Sequence, residues 1–145
     1  MRLPDIARTV RLEHPVASVW TALTDPDALA VWLMPNDFLP VEGHRFVFRT
    51  DPAPGFDGTV EAEVLRLVPE RLLELAWRGG GADTVVRFEL EPDGAGATVL
   101  HLRQSGFAHG DLLARLALGA GWRRRVLPAL GAHLSRSPRP RRQTP

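Results

Sequence analysis

The side chains that could carry out chemistry are few in this sequence, and their spacing does not group them. The five histidines are His14, His44, His101, His109 and His133. No two of them stand in an H-x-H, HExxH or H-x₃₋₅-H arrangement, the spacings by which metal sites bring ligands together. The chain has no cysteine, which excludes disulfides, zinc–thiolate sites and thiol nucleophiles. The sequence therefore predicts no metal site.

Candidate nucleophiles and paired carboxylates, like the histidines, show no arrangement in the sequence that is typical of a catalytic site. None of the serines lies in a G-x-S-x-G motif, and Ser105 ends a strand-like segment, where a hydroxyl usually bonds to the backbone. Glu61/Glu63 and Glu89/Glu91 fall on strand faces that we assign to solvent, whereas catalytic carboxylates need a cleft. The absence of lysine and tyrosine removes a Schiff-base amine and a phenol acid. We predict no catalytic residue and no cofactor.

Aromatic residues form the more informative group. They fit an ordinary filled core, but they also fit an apolar ligand pocket, which typically carries a few polar anchors. Gln104 is the one polar side chain that we place on the inward face of the sheet, and it is the candidate anchor. The predicted pocket residues are Trp32, Phe46, Phe48, Trp77, Phe88, Leu102, Gln104, Leu116 and Trp122.

The elements that must position these residues follow from hydrophobic periodicity. Alternating apolar and polar residues predict strands at 6–13, 45–49, 59–68, 72–78, 84–91 and 98–104. Within the third strand, Leu65 and Leu67 fall on the wrong face, which predicts a bulge or a sharp bend. Apolar residues at helical spacing predict two short helices after the first strand, with Asp25 as the cap of the second. Phe38 and Leu39, in the loop that follows, are expected to tuck under the domain.

The C-terminal part of the domain changes to helical periodicity. Leucines trace one stripe from about residue 111 to Leu134, interrupted by Gly119, Gly121 and Pro128. Because proline removes a helical hydrogen bond, we expect a bend or break near residues 119–122. Residues 135–145 are rich in arginine and proline with no apolar side chain to bury, which predicts a disordered tail after a single domain of residues 1–134.

These elements predict one architecture. Short turns between the later strands favour an antiparallel meander, whose apolar face must be covered. The long terminal helix is the element with enough apolar surface to cover it. The fold class is therefore α+β, with a curved antiparallel sheet of about six strands wrapped over a long C-terminal helix.

Several phrases along the chain resemble one known superfamily. They include Val19-Trp20-x-Ala22-Leu23-Thr24-Asp25-Pro26, Leu29-x-x-Trp32, Pro40-x-x-Gly43-x-x-Phe46, Asp57-Gly58-x-Val60, Ser105-Gly106-Phe107 and Gly121-Trp122. Their order is similar to that in the SRPBCC superfamily, in the branch that resembles the C-terminal domain of the heat-shock-chaperone (Hsp) ATPase activator. The resemblance implies the helix-grip fold of START-like and Bet v-like proteins, which commonly leaves an apolar cavity. It supplies no catalytic residue.

Net charge and hydropathy limit the classes of partner and the location that we expect for this protein. The formal net charge is +1 and every basic residue is arginine. We interpret Arg123–Arg125 as a solvated helix face, and together with the tail arginines it does not predict nucleic-acid binding. No apolar stretch approaches the ~20 residues of a membrane span, and residues 1–10 lack the apolar core of a signal peptide. A cytoplasmic location is expected.

Three functions remain open at this level. The leading hypothesis is a protein that binds a hydrophobic or amphipathic small molecule, with catalysis the less favoured reading. The first alternative is an enzyme similar to polyketide cyclases and dehydratases, which the resemblance implies. The second is an interaction module, chaperone-linked or regulatory, with a protein partner or a second copy of the chain.

Overall fold

Six strands, four α-helices, a π segment and a short 3-10 turn form the part of the chain, residues 2–136, that the computed structural model describes. The order is β1 (Ile6–Leu12), α1 (Val16–Thr24), α2 (Pro26–Trp32), β2 (Arg45–Arg49), β3 (Thr59–Val68), β4 (Leu72–Gly79), β5 (Ala82–Asp93), β6 (Ala97–Ser105), α3 (Leu112–Gly121), the π segment (Trp122–Val126) and α4 (Leu127–Arg136). A short 3-10 turn, His109–Asp111, precedes α3.

The strands form one antiparallel sheet in the order β1-β6-β5-β4-β3-β2. Strands β2 to β6 follow one another as a meander, and β1 returns to pair with the last strand, so that β1 and β2 are the two edges. The predicted α+β helix-grip architecture is confirmed. None of the helices within residues 2–136 is both long enough and apolar enough to cross a lipid bilayer.

The predicted irregularity in β3 is a β-bulge. The register against β4 shifts between Val64 and Arg66, and Leu65 is exposed. The additional residue returns Leu67 to the inner face, where it pairs with Leu73. A local change in alternation therefore predicted the bulge correctly.

The turn between α1 and α2 and the loop after α2 are held by side-chain hydrogen bonds. Asp25 accepts from the backbone N–H of Asp27, as its capping role predicts. In the loop, Asn36 Nδ2 donates to the carbonyl oxygens of Pro26 and Met34, and its Oδ1 accepts from Phe38 N–H. Asn36 therefore joins the start of α2 to the loop and fixes the position of the next strand.

Phe38 is buried at 1% exposure, which agrees with the expectation that this loop tucks under the domain. Leu39 was expected beside it, but it is 52% exposed. The interior position goes to Phe38 because its backbone N–H is held by the Asn36 side chain. The next residue in an extended segment then points to the other side.

The long C-terminal helix is divided rather than continuous. In the π segment, the N–H of Leu127 donates to the carbonyl of Trp122, five residues earlier. This widened turn precedes Pro128, which has no N–H to donate. The expected irregularity is present, centred a few residues later than 119–122.

The two halves of this helix are seated differently. On α4, Leu127, Leu130 and Leu134 are buried, and the helix packs on α1 and α2. On α3, Gly119 is the one buried residue. Helix α3 is therefore the lightly packed element of the cover. The tail predicted for 135–145 lies, from residue 137 onward, outside the described residues.

Candidate functional site

A continuous series of seven aromatic rings occupies the space between the sheet and the helices. Consecutive rings meet edge-on or tilted, geometries that aromatic pairs prefer over face-to-face stacking. The centroid distances are 5.2 Å for Phe38–Phe46, 5.1 Å for Phe46–Phe48, 5.2 Å for Phe48–Trp77, 5.8 Å for Trp77–Trp122, 6.0 Å for Trp122–Phe88 and 6.3 Å for Phe88–Trp32.

The structure brings together eight of the nine predicted pocket residues. All eight are at most 3% exposed: Trp32, Phe46, Phe48, Trp77, Phe88, Leu102, Gln104 and Trp122. These side chains line the interior and, in this conformation, pack against one another.

Leu116 is the exception, because it is 54% exposed on the outward face of α3. The predicted stripe assumed one helical period from residue 111 to residue 134. The π segment inserts additional backbone into that period, which rotates α3 by roughly 100° relative to the register of α4. Residues that share a stripe with Leu130 in the sequence therefore face solvent before the π segment.

Gln104 lies at the centre of a buried chain of hydrogen bonds. Trp122 Nε1 donates to Gln104 Oε1 at 2.8 Å, and Gln104 Nε2 donates to Thr84 Oγ1 at 2.9 Å. Thr84 Oγ1 in turn donates to the carbonyl of Trp77 at 2.8 Å. The bond to Thr84 uses one of the two N–H groups of the Gln104 amide, and the bond from Trp122 uses one of the two lone pairs on its oxygen. The amide can therefore take further hydrogen bonds without giving up these two.

A second polar group of the inner face, Arg8, was missed in the sequence. On β1 it lies between Ile6 and Val10, which face the core. Its Nε is buried and has no hydrogen-bond partner, the one such side-chain nitrogen or oxygen within residues 2–136. Its Nη1 donates to the carbonyl of Ala7 at 2.9 Å. The signal was present, since strict alternation from Ile6 places Arg8 on the apolar side.

Helix α3 rests on the β1 edge of the sheet beside Arg8. Gly119 faces Ile6 and Arg8, and a Cβ added at Gly119 would lie 3.8 Å from Arg8 Nη2 and 3.9 Å from Ile6 Cδ1. Arg115 Nε donates to the carbonyl of Pro4 at 2.6 Å, and its Nη2 donates to that of Asp5 at 3.1 Å. Arg8 is half-buried at this edge, beside α3.

The interior is otherwise neutral in the part of the chain that the structure describes. The buried polar side chains of residues 2–136 are Thr84, Thr98 and Gln104. Thr98 donates to the carbonyl of His14. Those same residues contain no group of three or more histidines and carboxylates that could hold a metal ion.

The outer face of the sheet carries a groove of about 890 Å³ that is lined mainly by charged residues. Arg87 forms ion pairs with Glu74 and Glu89, and Arg103 pairs with Asp5. These pairs involve only part of the lining, which also includes Arg66 and Arg71.

Helix α3 and the π segment present a different surface. Leu112, Leu113 and Leu116 are 52%, 82% and 54% exposed, and the exposed run Arg123–Arg125 follows about two turns later. Apolar and basic groups thus share the outward side of the lightly packed helix.

The chain matches one protein family and several solved structures. Residues 13–134 match the family described as activator of Hsp90 ATPase homolog 1-like protein. Protein MLL2253 from Mesorhizobium loti is 31% identical, with a TM-score of 0.85 over 93% of this chain and 99% of that one. CalU16 from Micromonospora echinospora is 25% identical, with a TM-score of 0.76 over 97% of this chain and 83% of that one.

A further likeness concerns the fold alone. The Aha1 dimer from Colwellia psychrerythraea is 21% identical, with a TM-score of 0.74 over 91% of this chain and 96% of that one. No curated protein matches the chain. The family match spans most of the sequence and agrees with the six-stranded sheet and its C-terminal helix. The chain therefore belongs to the activator of Hsp90 ATPase homolog 1-like family, an SRPBCC-type family whose fold is a ligand-binding one.

Proposed function

We propose that this protein binds a small hydrophobic or amphipathic molecule between its sheet and its C-terminal helix, without transforming it. One observation carries the proposal: the Trp122–Gln104 hydrogen bond sits inside the aromatic lining, directly where the lightly packed α3 meets the π segment. An apolar lining with one orientable amide is the usual composition of a small-molecule pocket.

Entry requires the C-terminal cover to move, because the aromatic rings occupy the interior. Helix α4 is anchored by its three buried leucines, whereas α3 contributes Gly119 to the core. The π segment joins the two halves, and π turns are frequent at functional sites. We infer that α3 swings about this segment, and that Trp122 shifts to admit the ligand.

The free energy gained by burying an apolar ligand is close to that of micromolar binding. A ligand that buries roughly 300 Å² of apolar surface gains about 7–8 kcal/mol at about 25 cal/mol per Å². Micromolar affinity corresponds to about 8 kcal/mol. Modest polar contacts are therefore enough, provided that opening α3 costs little. The few buried side chains of α3 agree with a low cost.

The catalytic alternative needs a group that can transfer a proton to a bound substrate. The polar side chains buried within residues 2–136 are two threonines and one glutamine, which have no acidic or basic pKa suited to that task near neutral pH. This lining supports binding over catalysis.

Native mass spectrometry of the purified protein tests the proposal. We expect a stoichiometric adduct, and a library of amphipathic and aromatic molecules that raises the melting temperature and changes tryptophan emission. Trp122→Phe, which keeps a ring but loses the N–H donor, should weaken binding, whereas the matched Trp20→Phe on α1 should not. A protein that is always empty, with no thermal shift across the library, would contradict the proposal.

The outward side of α3 favours a second candidate function, self-association. Leu112, Leu113 and Leu116 are large apolar side chains exposed on one short helix, and one structural neighbour, Aha1 from Colwellia psychrerythraea, is a dimer. We propose a second copy of the chain as the partner for this surface. Sedimentation velocity tests it: Leu113→Gln should abolish a dimer, and a wild-type monomer at high micromolar concentration would argue against it.

A further inference from the structure

Arg8 is half-buried and carries a buried side-chain nitrogen that has no hydrogen-bond partner. It projects from the inner face of β1, between the core residue Ile6 and the partly buried Val10. Its Nε is buried without a partner, and its Nη1 donates to the carbonyl oxygen of the preceding residue, Ala7. A buried polar group without a hydrogen bond is costly, and a charged one more so, which is why native proteins rarely retain it.

No carboxylate of the surrounding elements compensates this charge. Asp5, on the same edge, is paired with Arg103 at 2.9 Å. Asp111, before α3, accepts from the backbone N–H of Ala108. Across the sheet, Arg8 lies opposite the buried Leu102, and from α3 it faces Gly119. On its inner side the guanidinium therefore faces an apolar side chain and helix backbone, and neither can accept a hydrogen bond from Nε in this structure.

We propose that Arg8 binds the oxyanion head group, a carboxylate or a phosphate, of an amphipathic ligand whose apolar part enters between β1 and α3. This inference rests on the proposed function and specifies the chemistry of its ligand. The guanidinium offers a planar set of donors that matches both oxyanions in a bidentate manner. An oxygen atom of the ligand would accept the hydrogen bond from Nε, for which the folded chain provides no acceptor.

The positions of Arg8 and Gln104 suit one extended ligand. Ile6 pairs directly with Gln104, so Arg8 is its diagonal neighbour on the same face, at roughly 7–8 Å between Cα atoms. Arg8 is half-buried at the edge, whereas Gln104 is fully buried beneath Trp122. A head group at Arg8 therefore stays near water, and a tail directed along this line reaches the aromatic interior.

Gly119 marks the point where that path would pass. With no side chain on α3 here, a narrow crevice separates the helix backbone from Ile6 and Arg8, and an added Cβ would fill it in ordinary contact 3.8 Å from Arg8 Nη2. A larger residue here would stand in the line from the solvent to Gln104.

Binding of three twelve-carbon probes tests the inference: dodecanoate, dodecyl phosphate and the neutral dodecanol. Affinities would be measured by tryptophan fluorescence below the critical micelle concentrations. We expect one or both anionic probes to bind the wild-type protein at least ~10-fold more tightly than dodecanol, as charge-assisted hydrogen bonds require. The comparison of the two anions distinguishes carboxylate from phosphate as the preferred head group.

Arg8→Met keeps the length and packing of the side chain and removes the charge. We expect this variant to lose the preference for anions while it retains dodecanol binding. Arg45→Met, at a side chain that is 85% exposed on β2, is the matched control and should retain the preference.

The outcomes separate this inference from the proposed function. Equal affinity of the wild-type protein for all three probes would overturn the role of Arg8 and leave the pocket in place. An anionic preference that survives in Arg8→Met would overturn it as well. Binding of inorganic phosphate as tightly as dodecyl phosphate would indicate an anion site independent of the interior. Failure of every probe to bind would count against the pocket itself, and the inference would fall with it.

Discussion

The indole Nε1 of Trp122 donates a 2.8 Å hydrogen bond to Oε1 of Gln104, and both side chains are at most 2% exposed. This bond joins the π segment to the centre of β6, across a separation of 18 residues. It ties the C-terminal helical cover to the sheet through two buried side chains. The stability of the cover and its opening should therefore both depend on this pair.

Gln104→Leu should lower the free energy of unfolding by about 1–3 kcal/mol, because it leaves the buried Trp122 N–H without an acceptor. Adding Trp122→Phe should cost less in this background than in the wild type, since the donor is then already unpaired. Urea denaturation of the two single variants and the double variant measures the coupling. Additive losses would show that the bond does not connect the two elements.

Asn36 is a local centre of hydrogen bonding with no predicted role in the ligand site. Asn36→Ala removes two donated bonds and one accepted bond. We expect a loss of about 1.5–4.5 kcal/mol in the free energy of unfolding, at roughly 0.5–1.5 kcal/mol for each of the three bonds. Asp51→Ala, at an exposed loop position, is the control and should change it by less than about 0.5 kcal/mol. A loss in Asn36→Ala no greater than in the control would contradict this account of the loop.

Substitutions at two glycines with the same φ allow the cost of backbone strain to be compared with the added cost of a steric clash. Gly43 and Gly58 both have φ of +88°, but an added Cβ meets nothing within 4 Å at Gly43 and approaches the carbonyl oxygen of Thr50 at Gly58. Gly43→Ala should therefore cost about 1 kcal/mol for the strained backbone, and Gly58→Ala clearly more. Thermal denaturation measures both, and equal losses would show that the loop around Gly58 adjusts freely.

Gly119→Ala is expected to affect stability and ligand entry in opposite directions. The added methyl group would make ordinary contacts with Ile6 and Arg8, and alanine favours a helix by up to about 1 kcal/mol over glycine. The variant should be more stable yet bind dodecanoate less tightly, because it narrows the crevice.

Gly131→Ala on α4 is the matched control for this variant. Its added Cβ meets nothing within 4 Å, so it gains the helical preference without touching the crevice. It should be stabilised and bind as the wild type does. Equal dodecanoate affinities in the two variants would place the entrance elsewhere.

Alternation was sufficient to predict the sheet, including the bulge at Leu65, because side chains in a strand switch face at every residue and an error in phase is visible locally. It also placed Gln104 on the inner face, where it is fully buried. The same rule would have identified Arg8. The periodicity alone did not show that Nε of Arg8 would lack a hydrogen-bond partner in the folded chain.

The helical cover was less predictable. Leu116 and Leu130 belong to one stripe in the sequence, but the π segment between them rotates the first out of the core. That segment depends on the contact between Trp122 and Gln104, which involves distant parts of the chain. The absent N–H of Pro128 is visible in the sequence, but it indicates an irregularity and not its geometry.

The most direct test is a titration of the ¹⁵N-labelled protein with dodecanoate, followed through the four tryptophan indole N–H signals. Binding between sheet and helix predicts a large, saturable change in the Trp122 signal, a smaller change for Trp77, and none for Trp20 on α1. If dodecanoate saturates the protein while the Trp122 indole signal stays unchanged, the ligand does not enter beneath the C-terminal helix and the proposal is wrong.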